Sequence, residues 1–209
     1  MTTTKQEGKQ IRVLDEFATL QGTGHLVGTR QYFVRLAGCS VTDCRIRSVC
    51  DEAGALNPRA GECVDHRRIV RDARREVGAN GWLHVTGGEP LDQQDALADL
   101  LHEARRCGLR THLQTSGART TELEFDWTTV SPKSDDYRLT SGSELVLVDT
   151  GFELEDLRVI ARDTRFLHYF LQPLWGDEAA VTAAKVCTAA KCGLPWRLTD
   201  QMHKRWAIR

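Results

Sequence analysis

Three cysteines lie close together in one short segment and are the residues with the clearest chemical potential. Four residues separate Cys39 from Cys44, and five separate Cys44 from Cys50. Thiolates bind the iron of iron–sulfur clusters, and a [4Fe-4S] cluster normally takes four of them. Three thiolates leave one iron with an open coordination position, where a metal acts on a bound molecule. The segment is therefore a candidate site for a reactive cluster.

A zinc site and unliganded thiols are the alternative interpretations of these cysteines. Zinc in a structural site takes four nitrogen or sulfur ligands, and Cys63 or His66 would supply the fourth. The chain would then be a zinc-binding interaction module that uses the segment from Cys39 to Cys63. Seven cysteines, an odd number, in a chain of 209 residues favour thiols or metal ligands over a disulfide framework.

The rest of the sequence predicts alternating strands and helices that would position this segment. The predicted strands cover residues 31–36, 82–86, 110–114, 127–130, 144–148 and 166–171. The predicted helices cover residues 65–77, 92–107, 154–162 and 177–191. Asp65 and Asp92 stand where N-caps are expected, and Gly78 stands at a helix end. This alternation predicts an α/β fold with a mostly parallel sheet.

Polar segments directly follow five of the predicted strands. In parallel sheets, ligands gather at the carboxyl ends of the strands. We therefore expect these segments to face one mouth: Gly38-Cys39, Gly87-Gly88-Glu89, Thr115-Ser116, Ser131-Pro132-Lys133 and Gln172-Pro173.

Length and charge restrict the function classes. The net charge of −1 gives no reason to expect nucleic acid or an anionic membrane as a partner. No apolar run reaches the roughly 18 residues of a membrane span, and the polar N-terminus lacks a signal-peptide pattern. We expect a cytoplasmic protein with a disordered lead-in over residues 1–10 and a single domain over residues 11–209.

Read in order along the chain, a series of short motifs resembles the radical S-adenosylmethionine (SAM) superfamily, and within it the 7-carboxy-7-deazaguanine synthases. No single motif is specific, but their order along nearly the whole chain is. They are Phe17-Ala18-Thr19-Leu20-Gln21-Gly22, Phe33-Val34-Arg35-Leu36-Ala37-Gly38-Cys39, Cys50-Asp51, Thr86-Gly87-Gly88-Glu89-Pro90, Val130-Ser131-Pro132-Lys133, Gly142-Ser143-Glu144-Leu145, Phe170-Leu171-Gln172-Pro173, Trp196-Arg197-Leu198 and Gln201-Met202-His203-Lys204.

The resemblance implies a fold, a cofactor and a reaction. The fold is a partial TIM-like β/α barrel, and Cys39, Cys44 and Cys50 hold a [4Fe-4S] cluster that cleaves SAM. The radical formed from SAM acts on 6-carboxy-5,6,7,8-tetrahydropterin, whose ring contracts to 7-carboxy-7-deazaguanine with loss of ammonia. The resemblance also implies Mg²⁺, a flavodoxin or ferredoxin as electron donor, and a homodimer. On this view Cys63 lies beyond the ligand set.

The resemblance assigns further residues one by one. Those matched to SAM-binding positions are Val49, Asp51, Gly87, Gly88, Glu89, Thr115, Ser131, Pro132, Lys133, Gln172, Pro173, Leu174 and Trp175. Those matched to substrate-binding positions are Leu20, Gln21, Gly22, Arg35, Thr86, Gln114, His203 and Arg209. Arg35 would form a bidentate pair with the substrate carboxylate, a geometry that lysine does not reproduce.

Four positions depart from the family pattern. Thr23 and Gln114 stand where the family has glutamate, Ser116 where it has asparagine, and Glu52 where a threonine helps to bind Mg²⁺. A carboxylate at Glu52 is still a suitable ligand for this hard cation. The loss of two carboxylates facing substrate N–H donors should weaken recognition. Two interpretations follow: a divergent synthase, which we favour, or a paralogue that applies the same SAM cleavage to a different small molecule.

Overall fold

The computed structural model describes residues 10–209, so the predicted disordered lead-in lies outside the described residues except for Gln10. Nine strands form one sheet: β1 Ile11–Leu20, β2 Arg30–Leu36, β3 Glu62–Val64, β4 Trp82–Gly87, β5 Arg110–Thr115, β6 Trp127–Val130, β7 Ser141–Asp149, β8 Arg165–Pro173 and β9 Trp196–Leu198. Five α-helices accompany them: α1 His66–Val77, α2 Gln94–Arg106, α3 Leu154–Asp163, α4 Ala179–Lys191 and α5 Met202–Arg205.

The strand order is β3-β1-β2-β4-β5-β6-β7-β8-β9. β1 pairs antiparallel with both β2 and β3, and every pair from β2 to β9 is parallel. Residues from β1, β2, β4, β5, β7 and β8 line a single cavity, so the sheet curves around it. The predicted α/β fold with a partial barrel and a mostly parallel sheet is confirmed.

The two faces of the sheet differ because side chains alternate along each strand. In β2, Tyr32, Val34 and Leu36 belong to a core that packs against α1 and α2. A second core joins β7, β8 and β9 to α3 and α4. The intervening residues of β2, among them Phe33 and Arg35, line the cavity instead. The apolar core therefore lies between the sheet and the helices, and the concave face is left for chemistry.

The prediction for the start of α1 is confirmed, whereas that for α2 is wrong. The Asp65 side chain accepts from the backbone N–H of Arg67 at 2.8 Å, as an N-cap does. Before α2, a 3₁₀ turn over Pro90–Gln93 takes the place of the expected first helical turn. Asp92 therefore does not cap α2; it accepts from the backbone N–H and the hydroxyl of Ser40 at 2.9 and 2.7 Å. Its carboxylate fixes the start of the cysteine segment instead.

The first strand and the last short helix were absent from the sequence-based prediction, and both border the cavity. β1 mixes charged and apolar residues over Ile11–Leu20, and eight of its ten residues are half-buried or exposed. α5 is a single turn whose residues return to the loop after β1, where the backbone N–H of Met202 donates to the carbonyl of Gly22 at 2.8 Å. The loop after β1 and the last short helix are thereby joined at the site.

Within residues 10–209, every helix is too short or too polar to cross a bilayer.

Candidate active site

A cavity of about 400 Å³ lies inside the curve of the sheet. This volume falls in the range of small-molecule sites. The structure brings nearly all the residues singled out from the sequence to its wall: Leu20, Gln21, Gly22, Arg35, Cys39, Cys44, Val49, Cys50, Asp51, Glu52, Thr86, Gly87, Gly88, Gln114, Thr115, Ser131, Lys133, Gln172, Leu174, Trp175, His203 and Arg209.

Three predicted SAM-binding residues, Glu89, Pro132 and Pro173, are absent from the cavity wall. Glu89 is fully buried. Its carboxylate accepts from the backbone N–H of Leu91 at 3.0 Å, from the Thr115 hydroxyl at 2.6 Å, and from the backbone N–H and hydroxyl of Ser116. In this structure the carboxylate joins the ends of β4 and β5, and its contact with an ammonium group stays a prediction.

The three cysteines of the candidate cluster are half-buried and share the cavity wall. Burial raises the pKa of the Cys39 thiol, although the backbone of Val41 opposes this effect. The loop that carries the cysteines is tied to the end of β6, because the backbone N–H of Arg45 donates to the carbonyl of Lys133 at 2.8 Å. Three thiols on one wall of a ligand-sized cavity form a donor set that suits an iron–sulfur cluster.

The zinc interpretation finds no support in the part of the chain that the structure describes. No three His, Cys, Asp or Glu side chains there converge closely enough to hold a single metal ion. Cys63 is exposed on β3 and lies outside the cavity wall. His66 is buried at the start of α1. Cys63 and His66, the fourth ligands that the zinc alternative named, therefore lie outside the cavity wall that the three cysteines share.

Lys133 places a cation beside the cysteines. Its ammonium donates to the Ser131 hydroxyl at 2.6 Å and is attracted by Cys44, Cys50, Asp51 and Glu89. Burial lowers the pKa of Lys133, and these acidic groups oppose the shift. A half-buried cation beside Cys44 and Cys50 would reduce the cost of holding a negatively charged cluster in the protein.

The glycine pair after β4 has a structural reason that the sequence did not reveal. A Cβ on Gly88 would lie 2.0 Å from the carbonyl oxygen of Gly38, and Gly87 has a φ of +135°. The backbone N–H of Glu89 donates to the same Gly38 carbonyl at 2.9 Å. Glycine is therefore required for the end of β4 to lie against the backbone that leads into Cys39.

Arg35 meets an acidic partner within the chain itself. A terminal nitrogen of its guanidinium lies 2.6 Å from an oxygen of Glu52, and the group lies 5.2 Å from the centre of the Phe17 ring. Its Nε is buried without a hydrogen-bond partner among the described residues. Burial lowers the pKa of Arg35; burial also raises the pKa of Glu52, although the arginine opposes that shift. The guanidinium thus retains donor capacity on the cavity wall, as binding of a carboxylate requires.

The C-terminal segment closes the cavity next to the cysteine loop. Asp51 accepts from the ammonium of Lys204 at 2.7 Å and from the amide of Gln201 at 3.1 Å. His203 packs against Gly22, and burial lowers the pKa of its imidazole. The last residue is also held, because the carbonyl of Arg209 accepts from the Thr19 hydroxyl at 2.8 Å and its guanidinium pairs with Asp15.

We expect Gly22→Ala to displace this C-terminal segment. A Cβ at position 22 would lie 2.2 Å from Nδ1 of His203, too close for any side chain. The variant should lower the melting temperature by several degrees, the size of shift expected for about 1–2 kcal/mol in a domain of this length, and should speed proteolysis near the C-terminus.

Two further variants test this explanation. Removal of the opposing ring in the double variant Gly22→Ala/His203→Ala should restore part of the lost stability, because only the Cβ of residue 203, at 2.9 Å, remains to be moved. Gly54→Ala is the matched control, because a Cβ there meets its nearest atom at 3.8 Å. A double variant as unstable as Gly22→Ala would contradict a clash with His203.

The positions that depart from the family pattern also lie at the cavity. The Thr23 hydroxyl donates to the side-chain oxygen of Gln172 at 2.7 Å. Ser116 is bound to Glu89, and Gln114 is half-buried in the wall. Thr23 and Gln114 therefore present neutral side chains where the edge of the substrate is expected. The hydroxyl of Thr23 is already hydrogen-bonded to Gln172.

Sequence reasoning missed several residues of the wall. Phe17 stacks on Phe33 with ring centroids 5.4 Å apart and carries Arg35 on its ring. Val146 and Val148 contribute apolar surface from β7. The period-2 alternation of β7 was the available signal for Val146 and Val148, because residues between core positions must face the concave side. Alternation from Ile11 and Val13 would instead place Phe17 in the core, and the register shift between Val13 and Asp15 moves it to the cavity wall.

Comparisons with known proteins agree with this geometry. Residues 20–165 match the family model described as a 4Fe-4S single cluster domain. The chain is 32% identical over 202 residues to the 7-carboxy-7-deazaguanine synthase of Bacteroides thetaiotaomicron, covering 95% of this chain and 100% of that protein. It is 33% identical over 217 residues to the enzyme of the same name from Bradyrhizobium diazoefficiens, covering 94% and 98%.

A solved structure shares the fold. The crystal structure of QueE from Escherichia coli superimposes with a TM-score of 0.67 at 21% identity, covering 93% of this chain and 95% of that one.

Proposed function

Because this chain belongs to the 7-carboxy-7-deazaguanine synthase family of radical SAM enzymes, we propose that it converts 6-carboxy-5,6,7,8-tetrahydropterin to 7-carboxy-7-deazaguanine with loss of ammonia. One observation carries the proposal: a single ligand-sized cavity is bordered by three thiols and by an arginine with unused donor capacity. The three thiols suit the binding of a cluster, and the arginine suits the carboxylate of the substrate.

The cysteine end of the cavity would hold the cofactors. Cys39, Cys44 and Cys50 bind the [4Fe-4S] cluster, which supplies, when bound, the electron that cleaves SAM. Around it, Lys133 offsets negative charge and the glycine pair after β4 brings backbone to the cavity wall. The proposed SAM contacts on the wall are Val49, Asp51, Gly87, Gly88, Thr115, Ser131, Gln172, Leu174 and Trp175.

The remaining wall would bind and orient the substrate. Arg35 would pair with the carboxylate while it stacks on Phe17. The proposed contacts with the ring are Leu20, Gln21, Gly22, Thr86, Gln114, His203 and Arg209. The amide nitrogen of Gln21 is buried without a hydrogen-bond partner among the described residues, which supports a role for it in binding a ligand. Closure by the C-terminal segment would keep water from the reacting radical.

Magnesium enters the proposal through Glu52. This carboxylate suits a hard cation, but it is paired with Arg35 at 2.6 Å in this structure. We propose that Mg²⁺ and the substrate carboxylate together replace this pair, so that Glu52 turns to the cation while Arg35 turns to the substrate.

The cellular context is part of the same proposal. We place the enzyme in the cytoplasm as a homodimer, by analogy with the family, with a flavodoxin or ferredoxin as electron donor. The exposed stretch around Val49, whose side chain is 54% exposed, supports docking of the donor near the cysteines.

A paralogous function on another small molecule is the second candidate. Thr23 and Gln114 favour it, because the wall presents neutral groups where the family presents carboxylates, and Thr23 is bound to Gln172. A pterin with several N–H donors would then lose two charged acceptors.

Anaerobic turnover tests the proposal directly. Reconstituted enzyme is incubated with SAM, a reductant, Mg²⁺ and 6-carboxytetrahydropterin, and the products are identified by mass spectrometry. 7-Carboxy-7-deazaguanine formed together with 5′-deoxyadenosine supports the synthase. Release of 5′-deoxyadenosine without that product would reject the synthase in favour of the paralogue.

A further inference from the structure

A chain of buried polar side chains lies inside the barrel and leads to the cavity wall. His84, His112, Gln31, Thr129 and Glu144 are all 0% exposed. The rings of His84 and His112 stack with centroids 4.0 Å apart, and Nδ1 of each lies 2.9 Å from Oε1 of Gln31. Buried polar groups keep a fixed pattern of donors and acceptors, because an unsatisfied group is costly. The pattern can therefore be followed from group to group.

Gln31 sets the direction of this pattern. The Thr29 hydroxyl donates its hydrogen to the carbonyl of Leu26 at 2.7 Å, so its oxygen serves as an acceptor for the amide Nε2 of Gln31 at 2.9 Å. The amide oxygen of Gln31 consequently faces the two imidazoles. Both rings must then carry their hydrogen on Nδ1 in order to donate to it.

Both imidazoles are neutral in this surrounding. Burial lowers the pKa of His84 well below its usual value and lowers that of His112 to about 3. A neutral ring with a hydrogen on Nδ1 has an acceptor at Nε2. Nε2 of His112 lies 2.8 Å from the Thr129 hydroxyl, which lies 2.6 Å from Glu144. Thr129 has a single hydroxyl hydrogen and cannot donate it to both His112 and Glu144. If Thr129 donates to His112, Glu144 carries a proton and donates to Thr129. This agrees with the pKa of Glu144, which burial raises.

Nε2 of His84 is the end of the chain nearest the cavity. It is buried and makes no well-formed hydrogen bond with any described residue. Gln114 stands two residues after His112 on β5, on the same face of the sheet, and it lines the cavity. In this structure its amide acts on His84 as an acceptor, because the contact raises the pKa of the imidazole against the effect of burial. A half-turn of an amide exchanges its oxygen and nitrogen, so the surrounding hydrogen bonds decide which of them faces the ring. An acceptor at this point requires a donor, and the amide nitrogen of Gln114 is the donor at hand.

We propose that His84 is a positioning residue whose unprotonated Nε2 binds the amide N–H of Gln114 and thereby turns the Gln114 carbonyl toward the cavity. The cavity then presents a neutral, fixed acceptor to an N–H group of the substrate. This inference rests on the proposed function for the identity of that substrate, a heterocycle with N–H donors. It also explains how a glutamine serves where the family has glutamate: the amide is held in the orientation that mimics one carboxylate oxygen.

Two variants of His84 separate its acceptor from its shape. His84→Phe keeps a ring against Phe33 and His112 but has no acceptor, whereas His84→Gln keeps an oxygen near the position of Nε2 and loses the ring. We expect His84→Phe to raise the substrate KM about tenfold, the loss typical of one hydrogen bond. SAM cleavage in the absence of substrate should stay at the wild-type rate. His84→Gln should stay within about threefold of the wild-type KM.

If His84 served only to pack the interior, His84→Gln would raise the substrate KM more than His84→Phe, because phenylalanine preserves the packing better. A wild-type KM for His84→Phe, or a larger defect in His84→Gln, would therefore overturn the proposal.

The tautomer of His84 is a second readout that does not depend on turnover. Histidine labelled with ¹⁵N, with the His84 signals assigned from their loss in His84→Gln, reports which ring nitrogen carries the hydrogen. We expect the Nδ1–H form in enzyme with its oxidised cluster. The Nε2–H form would reverse the Gln114 amide and reject the proposal. If the wild type fails to turn over the pterin, the proposed function fails, while the tautomer still decides the role of His84.

Discussion

Replacement of Cys50 with alanine is expected to abolish SAM cleavage while the fold survives. Cys50 lies in the loop on the cavity wall and is half-buried, outside both apolar cores. Its loss leaves two thiolates, too few to hold a cluster with one open iron. The variant should show little iron after anaerobic reconstitution, 5′-deoxyadenosine below detection, and a melting temperature of the metal-free protein close to that of the metal-free wild type.

Cys63→Ala is the matched control for this experiment. Cys63 is the next cysteine along the chain, but it is exposed on β3 and lies outside the cavity wall. Its removal should leave iron content and 5′-deoxyadenosine at wild-type levels. Normal SAM cleavage by Cys50→Ala would remove Cys50 from the ligand set. Loss of metal in Cys63→Ala would instead revive a four-cysteine site.

The order of strands and helices could be predicted from the sequence because short local patterns of residues determine it. The β4 segment has a buried run followed by glycines, and α1 begins at an aspartate cap and ends at Gly78, whose φ is +74°. Such signals depend on neighbours in sequence, so they survive without knowledge of tertiary contacts. The placement of polar segments at one mouth followed from the parallel order of the strands.

Other features could not be predicted because they depend on contacts between distant segments. Asp92 has the residue type and place of an N-cap, yet its carboxylate binds Ser40, 52 residues away. Glu89 has the chemistry of an ammonium acceptor, yet it is satisfied by protein donors such as Thr115. In both cases the sequence identifies a carboxylate at the site but not the partner that it meets after folding.

The Arg35–Glu52 pair, at the substrate end of the cavity, is another contact whose partners could not be predicted from the sequence. The resemblance implied a substrate carboxylate as the partner of Arg35 and Mg²⁺ as the partner of Glu52. In the structure the two side chains pair with each other at 2.6 Å. Opposite charges close together on a partly desolvated wall attract more strongly than they would in water. The residue type shows what a side chain is able to bind, whereas the folded structure determines which partner lies next to it.

We expect Arg35→Ala to lower kcat/KM for the pterin by at least about 30-fold and to leave the cluster intact. Truncation of one member of a partly buried, hydrogen-bonded charge pair costs about 2–5 kcal/mol. The cluster absorbance and 5′-deoxyadenosine release without substrate should match the wild type, because the cysteine loop is anchored by backbone contacts that do not involve Arg35. Wild-type turnover would exclude Arg35 from substrate binding.

Two further variants show whether this loss is local to the site. Arg30→Ala removes an exposed arginine from the same strand, where it pairs with Glu76 at 3.5 Å, and should have no effect on turnover. Arg35→Lys keeps a positive charge but lacks the planar fork, so it should recover only part of the lost activity.

The double variant Arg35→Ala/Glu52→Gln separates the two causes that a single truncation combines. Arg35→Ala both removes a donor for the substrate and leaves Glu52 as an unpaired carboxylate that would repel an incoming carboxylate. If repulsion dominates, neutralising Glu52 restores turnover. If the lost pairing with the substrate dominates, the double variant stays as inactive as Arg35→Ala at saturating Mg²⁺. We expect the second result, because a bidentate arginine supplies geometry as well as charge, and removal of the opposing carboxylate replaces neither.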